Sequence, residues 1–299
     1  MSGTLVVSTS LSDALAAMAA GARPVAGGTD LVVAARQGKK PLPDSIVAIH
    51  GLTELRTLSV NGGGLRLGSL TTHGEIVAHA GIRERYTALA DASSIVGSHA
   101  TRANGTIGGN VMTASPAMDT GGPLICLDAS MVLQSISGTR TVSANEFFVG
   151  PGLTVARPDE LLVAVELPEV TGQVGSCYVR LEYRRQMEIA IAGATAFVRL
   201  EGDKVAEARI AITALAPTIH RVAAAEALLD GTTGSRSAAD AAAKAAAQAA
   251  KPISDVRASA DYRIAMTAVI VRRAIEGALS RARGVEVAIP ATSALQGAR

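Results

Sequence analysis

Two glycine-rich turns about eighty residues apart constrain this chain more than any other feature: Val25-Ala-Gly-Gly-Thr-Asp-Leu31, and Thr106-Ile-Gly-Gly-Asn110, which continues into Ala114-Ser-Pro-Ala-Met-Asp119. Paired glycines allow backbone conformations and close approaches that a Cβ forbids, so each turn can gather N–H groups and short polar side chains around a ligand. Alone, either pair reads equally well as a tight turn. Together, with Thr29, Thr106, Asn110 and Thr113 beside them, they read as the two arms of a clamp for a phosphate-bearing ligand. Neither fits G-x-G-x-x-G, and no G-x-x-x-x-G-K-S/T occurs, so the Rossmann and P-loop signals are absent. Distributed N–H and O–H donors, helped by the helix starts that follow the turns, can neutralise a pyrophosphate without a lysine. Asp30 and Asp119 would repel phosphate and are read as acceptors for hydroxyl or ring N–H groups, or as loop braces.

The surrounding pattern is α+β. A helix over Ser12 to Ala20, a strand at Arg23 to Val25, a helix from Leu31 to Gln37 and a strand at Ile46 to Ile49 make a βαβ-type unit with the first turn at a strand end. From Leu55 the period changes to two, with Leu58/Val60 and Leu65/Leu67 flanking Asn61-Gly-Gly-Gly64 as a hairpin. Helices are expected over Thr71 to Ala80 and Glu84 to Val96, and strands at Met131 to Ser135 and Leu161 to Leu167, giving a mostly antiparallel subdomain. Pro168 to Gly175 is the expected linker. Beyond it, strands at Ala190 to Leu200 and Ala206 to Leu215 precede helices at Ala223 to Leu229, Ser237 to Ala250 and Asp261 to Ala278.

Composition narrows the chemistry. With 299 residues the chain is long enough for two cores, and with three Phe, four Tyr and no Trp those cores must be aliphatic. The 28 basic and 26 acidic residues are scattered, without an aromatic stacking platform, so no nucleic acid partner is expected. Cys126 and Cys177 are the only cysteines, and two thiols cannot build a four-cysteine iron–sulfur cluster. His73, His79, His99 and His220 lack metal-ligand spacing, and no membrane span or leader pattern is present, which makes a cytoplasmic protein the expectation.

The two turns, with Gly68-Ser-Leu-Thr-Thr72 between them and Tyr178-Val-Arg180, Arg184-Arg-Gln-Met-Glu188 and Ser259-Ala-Asp-Tyr-Arg263 after them, resemble the FAD-binding medium subunit of the molybdenum hydroxylases, relatives of xanthine dehydrogenase and aerobic carbon monoxide dehydrogenase. The resemblance implies a two-part FAD-binding domain of the vanillyl-alcohol-oxidase or p-cresol-methylhydroxylase type over residues 1–172, with subdomains of about 1–54 and 55–172. A smaller α+β C-terminal domain over 176–285 and a tail over 286–299 would follow. It implies that Val25, Ala26, Gly27, Gly28, Thr29, Asp30, Leu31, Thr106, Gly109, Asn110 and Thr113 surround the adenosine diphosphate portion and linker of FAD. Asp119, Leu162 and Arg180 would lie nearer the flavin. The chain departs from the family at Arg180, Glu188 and Ala103, where Lys, Asp and Asn are usual, and at Gly121-Gly122, expected to loosen the loop.

The activity implied is electron relay from the iron–sulfur clusters of a partner chain through FAD to an external acceptor such as NAD, with no catalytic side chain and no metal on this chain. The partners implied are a large molybdenum-cofactor subunit and a small [2Fe-2S] subunit, assembled as a dimer of heterotrimers. Two rival classes are a self-contained flavin oxidoreductase, whose acid–base candidates would be Tyr178, Glu182 and Tyr183, and a non-catalytic binding or scaffold protein. On its blander reading Arg180 is an ordinary interdomain arginine; on the sharper one it tunes the flavin without holding the domain together.

Overall fold

Three short parallel strands organise the N-terminal unit. The chain runs through β1 (Thr4–Val7), α1 (Leu11–Ala19), β2 (Arg23–Val25), α2 (Leu31–Arg36) and β3 (Ser45–Ala48), and β3 lies between β1 and β2, parallel to both. Helix α1 begins where the Ser10 hydroxyl accepts from the Asp13 amide, and it buries Ala14, Leu15 and Met18 on one face. The first glycine turn follows β2, at the strand end where open α/β units bind ligands. The computed structural model describes residues 3–61 and 63–296; Gly62 of the predicted hairpin turn and residues 297–299 of the predicted tail lie outside the described residues.

Next come β4 (Leu58–Asn61), β5 (Gly64–Gly68), α3 (His73–Ala78), α4 (Ala80–Arg85), α5 (Thr87–Ser94), α6 (His99–Asn104), α7 (Ile107–Thr113) and α8 (Gly121–Cys126). They lead to β6 (Ser130–Ser135), β7 (Gly138–Ser143), α9 (Ala144–Phe147), β8 (Phe148–Gly150), β9 (Leu153–Thr154) and β10 (Leu161–Leu167). Strands β4-β5-β10-β6-β7 form one antiparallel sheet, as the change of period predicts. Strand β10 separates two cores. Leu161 and Val163 face the core beneath α1, whereas Leu162, Val165 and Leu167 face the helical side. A bulge between Leu162 and Ala164 shifts the alternation by one and keeps both faces apolar.

The last part comprises β11 (Gln173–Leu181), β12 (Ala192–Glu201), β13 (Lys204–Thr213), β14 (His220–Arg221), α10 (Ala223–Glu226), α11 (Arg236–Ala249), α12 (Ala260–Ala282) and α13 (Ala291–Gln296). The four strands make one antiparallel sheet in sequence order. Helices α11 and α12 cover it with an aliphatic core that includes Ala239, Ala242, Ala243 and Ala246. Each alanine removes little surface from water, but its small volume lets the helices approach closely.

Three local expectations change. The predicted linker ends early, because β11 begins at Gln173 and pairs with β12 through Leu181. The predicted 84–96 helix is two helices that meet at Tyr86, whose hydroxyl donates to the Pro168 carbonyl at 3.0 Å. Gly121 and Gly122 do not loosen a loop: they open α8, and a Cβ on them would come within 2.3 Å of Ile219 Cδ1 and 2.4 Å of Thr195 Oγ1. Bare backbone there is what lets α8 lie on β12 and β13.

Candidate functional site

The first glycine turn is an open donor array. After Val25, whose carbonyl accepts from the Ile49 amide at 2.9 Å, the amides of Gly27, Gly28, Thr29 and Asp30 donate to no group among the described residues. Gly28 takes φ +67°, a left-handed value that favours glycine. Gly27 is required for a different reason: a Cβ on it would come 1.9 Å from the Asn104 carbonyl oxygen. The turn therefore lies against the Asn104–Gly105 backbone, and the two sequence-predicted arms meet.

The second turn is built differently. Ile107 donates to Thr71 O and Gly108 to Ser69 O, both at 2.9 Å, and Gly109 donates to the Thr106 hydroxyl at 3.1 Å. These amides are consumed in fixing the turn, so the expectation that both arms offer free backbone donors holds only for the first. Gly108 is a packing glycine, since a Cβ there would lie 2.6 Å from Ser69 Cβ; a Cβ on Gly109 would meet only Thr106 Oγ1, at 3.2 Å. The second arm's donor is a side chain. Asn110 accepts through Oδ1 from the Thr120 hydroxyl at 2.6 Å, which leaves its amide N–H groups for a ligand.

Thr113 ties the arms together. Its hydroxyl lies 2.9 Å from both Asp30 Oδ2 and Gly109 O. Asp30 is thus a brace, one of the two roles read for it from sequence, with its carboxylate occupied by an in-chain donor. Free amides and a primary amide, with the neighbouring carboxylate tied back, form a donor set that suits the diphosphate of FAD.

Beyond the arms lies an enclosed charge cluster. The Tyr178 hydroxyl donates to Asp119 Oδ1 at 2.6 Å, Arg180 Nη1 donates to Asp119 Oδ2 at 2.8 Å, and Arg180 Nε donates to Glu182 Oε2 at 2.7 Å. Tyr178 and Arg180 share one face of β11 because strand side chains alternate, and Glu182 follows at the next even position, one residue past the strand end. That Tyr-x-Arg-x-Glu alternation was the available signal for adding Tyr178 and Glu182 to the cluster. Burial alone would depress the Arg180 guanidinium, but Asp119, Tyr178 and Glu182 raise it, so it stays charged. Burial pushes the Asp119 carboxyl above its usual range, against the pull of Arg180 and of the Tyr178 hydrogen bond. Arg180 is 0 % exposed. This revises the expectation that Arg180 has no hold on the fold: two buried carboxylates depend on it.

The remaining candidates are tied into the fold. Leu162 is buried in the same aliphatic core as Met118 and Leu124. Glu188 pairs with Arg184 at 3.1 Å, as its sequence neighbourhood suggests, whereas Glu182 pairs with Arg180 instead. Tyr178 and Glu182, two of the acid–base candidates, are thus engaged, and the exposed Tyr183 donates to the Arg257 carbonyl. Burial drives both cysteine thiols far above their ordinary range. Among the described residues no His/Cys/Asp/Glu group is arranged to hold a metal ion, and no helix is long and apolar enough to cross a membrane.

Residues 2–170 match the family described as "FAD binding domain in molybdopterin dehydrogenase", and residues 178–278 match "CO dehydrogenase flavoprotein C-terminal domain". The chain is 31 % identical over 239 residues to the carbon monoxide dehydrogenase medium chain of Hydrogenophaga pseudoflava, covering 80 % of this chain and 83 % of that one. It is 30 % identical over 265 residues to the xanthine dehydrogenase FAD-binding subunit of Escherichia coli O157:H7, covering 88 % and 90 %. Among solved structures, a chain of the Hydrogenophaga pseudoflava carbon monoxide dehydrogenase superposes with a TM-score of 0.90 at 30 % identity, over 94 % of this chain and 98 % of that one. A chain of quinoline 2-oxidoreductase from Pseudomonas putida 86 superposes with a TM-score of 0.87 at 26 % identity, over 94 % and 98 %.

Proposed function

The chain belongs to the FAD-binding subunits of the molybdopterin-dependent xanthine and carbon monoxide dehydrogenases, and from that premise we propose how its residues serve electron transfer in such a complex. The chain is an FAD-binding subunit of a molybdenum hydroxylase. The observation that carries the detailed reading is the row of unpartnered amides at Gly27, Gly28, Thr29 and Asp30, braced against the second turn by the Asp30–Thr113 hydrogen bond. These amides and the Asn110 amide hold the diphosphate. Val25, Ala26, Leu31, Thr106 and Gly109 shape the walls around the adenosine portion.

When bound, FAD accepts electrons singly and delivers them in pairs, which an iron–sulfur centre cannot do alone. The chain's own side chains orient the cofactor and fix the charge near it. Asp119 presents a carboxylate held by Tyr178 and Arg180, and Leu162 and Arg180 act from buried positions. Electrons come from [2Fe-2S] clusters of a small partner chain, the molybdenum cofactor sits on a large one, and the electrons leave to an external acceptor such as NAD. The assembly is a cytoplasmic dimer of heterotrimers whose FAD domain spans residues 1–172 and whose C-terminal domain spans 176–285.

Co-expression with a large molybdenum subunit and a small iron–sulfur subunit tests the assignment. One FAD per chain, substrate-dependent NAD reduction by the complex and none by the chain alone are the expected results. Substrate hydroxylation by the purified chain, or a chain that takes up no FAD on reconstitution, would overturn it.

A further inference from the structure

A cavity of about 490 Å³ is walled by α3, α5 and α6 on one side and by the 182–186 loop and the start of α13 on the other, and its lining does not include the residues of either glycine turn. Ser94, His99, Arg102, Glu182, Arg185 and Ser293 bring polar atoms to it. Arg102 is buried, with 9 % of its surface exposed. Its only side-chain hydrogen bond among the described residues runs from Nη1 to the Val96 carbonyl at 2.9 Å, and no carboxylate among them pairs with it. Burial pulls its guanidinium below the usual arginine range, with no opposing charge to restore it. A buried cation without a counter-ion is costly, and an incoming anion relieves that cost.

The other lining charges fit the same reading. Arg185, exposed on the loop that follows β11, makes no ion pair among the described residues. Glu182, the one carboxylate among the lining residues, is bound to Arg180. We propose that this cavity binds a small molecule bearing a carboxylate or phosphate group, with Arg102 as its buried anchor and Arg185 closing over it from the C-terminal half. A volume of this size accommodates a ligand on the scale of citrate or a mononucleotide. Because Arg102 stands on α6 and Arg185 on the loop leading out of β11, the bound anion ties the two halves of the molecule together.

Calorimetric titration of the FAD-loaded full chain at low ionic strength with inorganic phosphate, citrate and AMP tests this. Saturable one-to-one binding of at least one probe is expected; preference for phosphate and AMP identifies a phosphate site, and preference for citrate a carboxylate site. Arg102→Gln is expected to weaken binding by about tenfold or more, with FAD content unchanged. Should Arg102→Gln fail to fold, Arg185→Glu decides, since reversing an exposed charge leaves the fold intact while repelling the anion. Absence of saturable binding by all three probes, or affinity unaltered in the variants that fold, would overturn the proposal.

Discussion

Neighbouring glycines in these turns do unlike work, and substitution separates them. Gly27 is pressed against Asn104 O, so Gly27→Val must displace the loop and is expected to lower both FAD occupancy and stability. Gly109→Val adds a side chain on the open side of α7, where only Thr106 Oγ1 is near. Its expected signature is loss of bound flavin absorbance with a stability change of at most about 1 kcal/mol; flavin retained at full stoichiometry would move the ligand away from the second turn. Arg180 behaves as a structural residue as well. Arg180→Met leaves Asp119 and Glu182 buried without their cation, and urea unfolding is expected to show a loss of about 3–5 kcal/mol. A variant as stable as the parent would show that the two carboxylates take up protons or find other donors at no cost.

At the scale of single elements, the start of α3 introduces a pH dependence. Thr72 and Glu75 form a reciprocal cap, and His73, the first residue of the helix, is buried with its Nδ1 3.5 Å from Ser93 Oγ. Burial, reinforced by Arg102, lowers the His73 pKa from the usual 6.5 to about 4. Between those values the unfolded chain binds a proton that the folded chain refuses, so stability falls as pH drops from 6.5 towards 4, by up to about 3 kcal/mol. Comparing urea unfolding of the parent and His73→Gln at pH 7.5 and pH 5 isolates this contribution. An identical pH slope in both proteins would remove His73 as its source. Asp255, at the segment leading into α12, acts in a lower window. Hydrogen bonds from Arg257, Arg263 and Ala258, acting against burial, bring its pKa from 3.8 to about 2. Its contribution is full above pH 4 and is lost as pH falls through about 2.

For the whole molecule, the joint between its halves combines polar and apolar contacts. Asp91 on α5 receives Arg281 of α12 at 2.6 Å, the Tyr178 amide at 3.1 Å and the Ala291 amide at 2.9 Å. One carboxylate thereby fixes helix, sheet and α13, so the predicted 286–299 tail is docked over its described part. The cores also interlock, since Phe197, Ala211 and Ile219 pack into the cluster built mainly from residues 65–167. Asp91→Ala is expected to cost about 3–5 kcal/mol by leaving Arg281 buried and unpaired. Calorimetry is expected to split one unfolding transition into two as the halves uncouple. A single, unshifted transition would place the coupling in the apolar contacts alone.

The amino-acid sequence by itself determined the α+β class, the βαβ unit and the antiparallel sheet, because periods of 3.6 and two are local properties of the chain. It also determined both turns, since glycine pairs flanked by short polar residues have few other uses. What it could not determine was which donors in those turns remain free: Ile107 and Gly108 lose theirs to Thr71 and Ser69, residues adjacent only after folding. The Asp119–Tyr178–Arg180–Glu182 cluster was half legible, through the Tyr-x-Arg-x-Glu spacing at the end of β11, but its closure depends on the segment before α8 meeting β11 across some sixty residues of chain. Asp91 and the unpaired Arg102 gave no local signal at all. A charge's partner, or its lack of one, is fixed by the packing of segments far apart in sequence, and only the tertiary structure decides it.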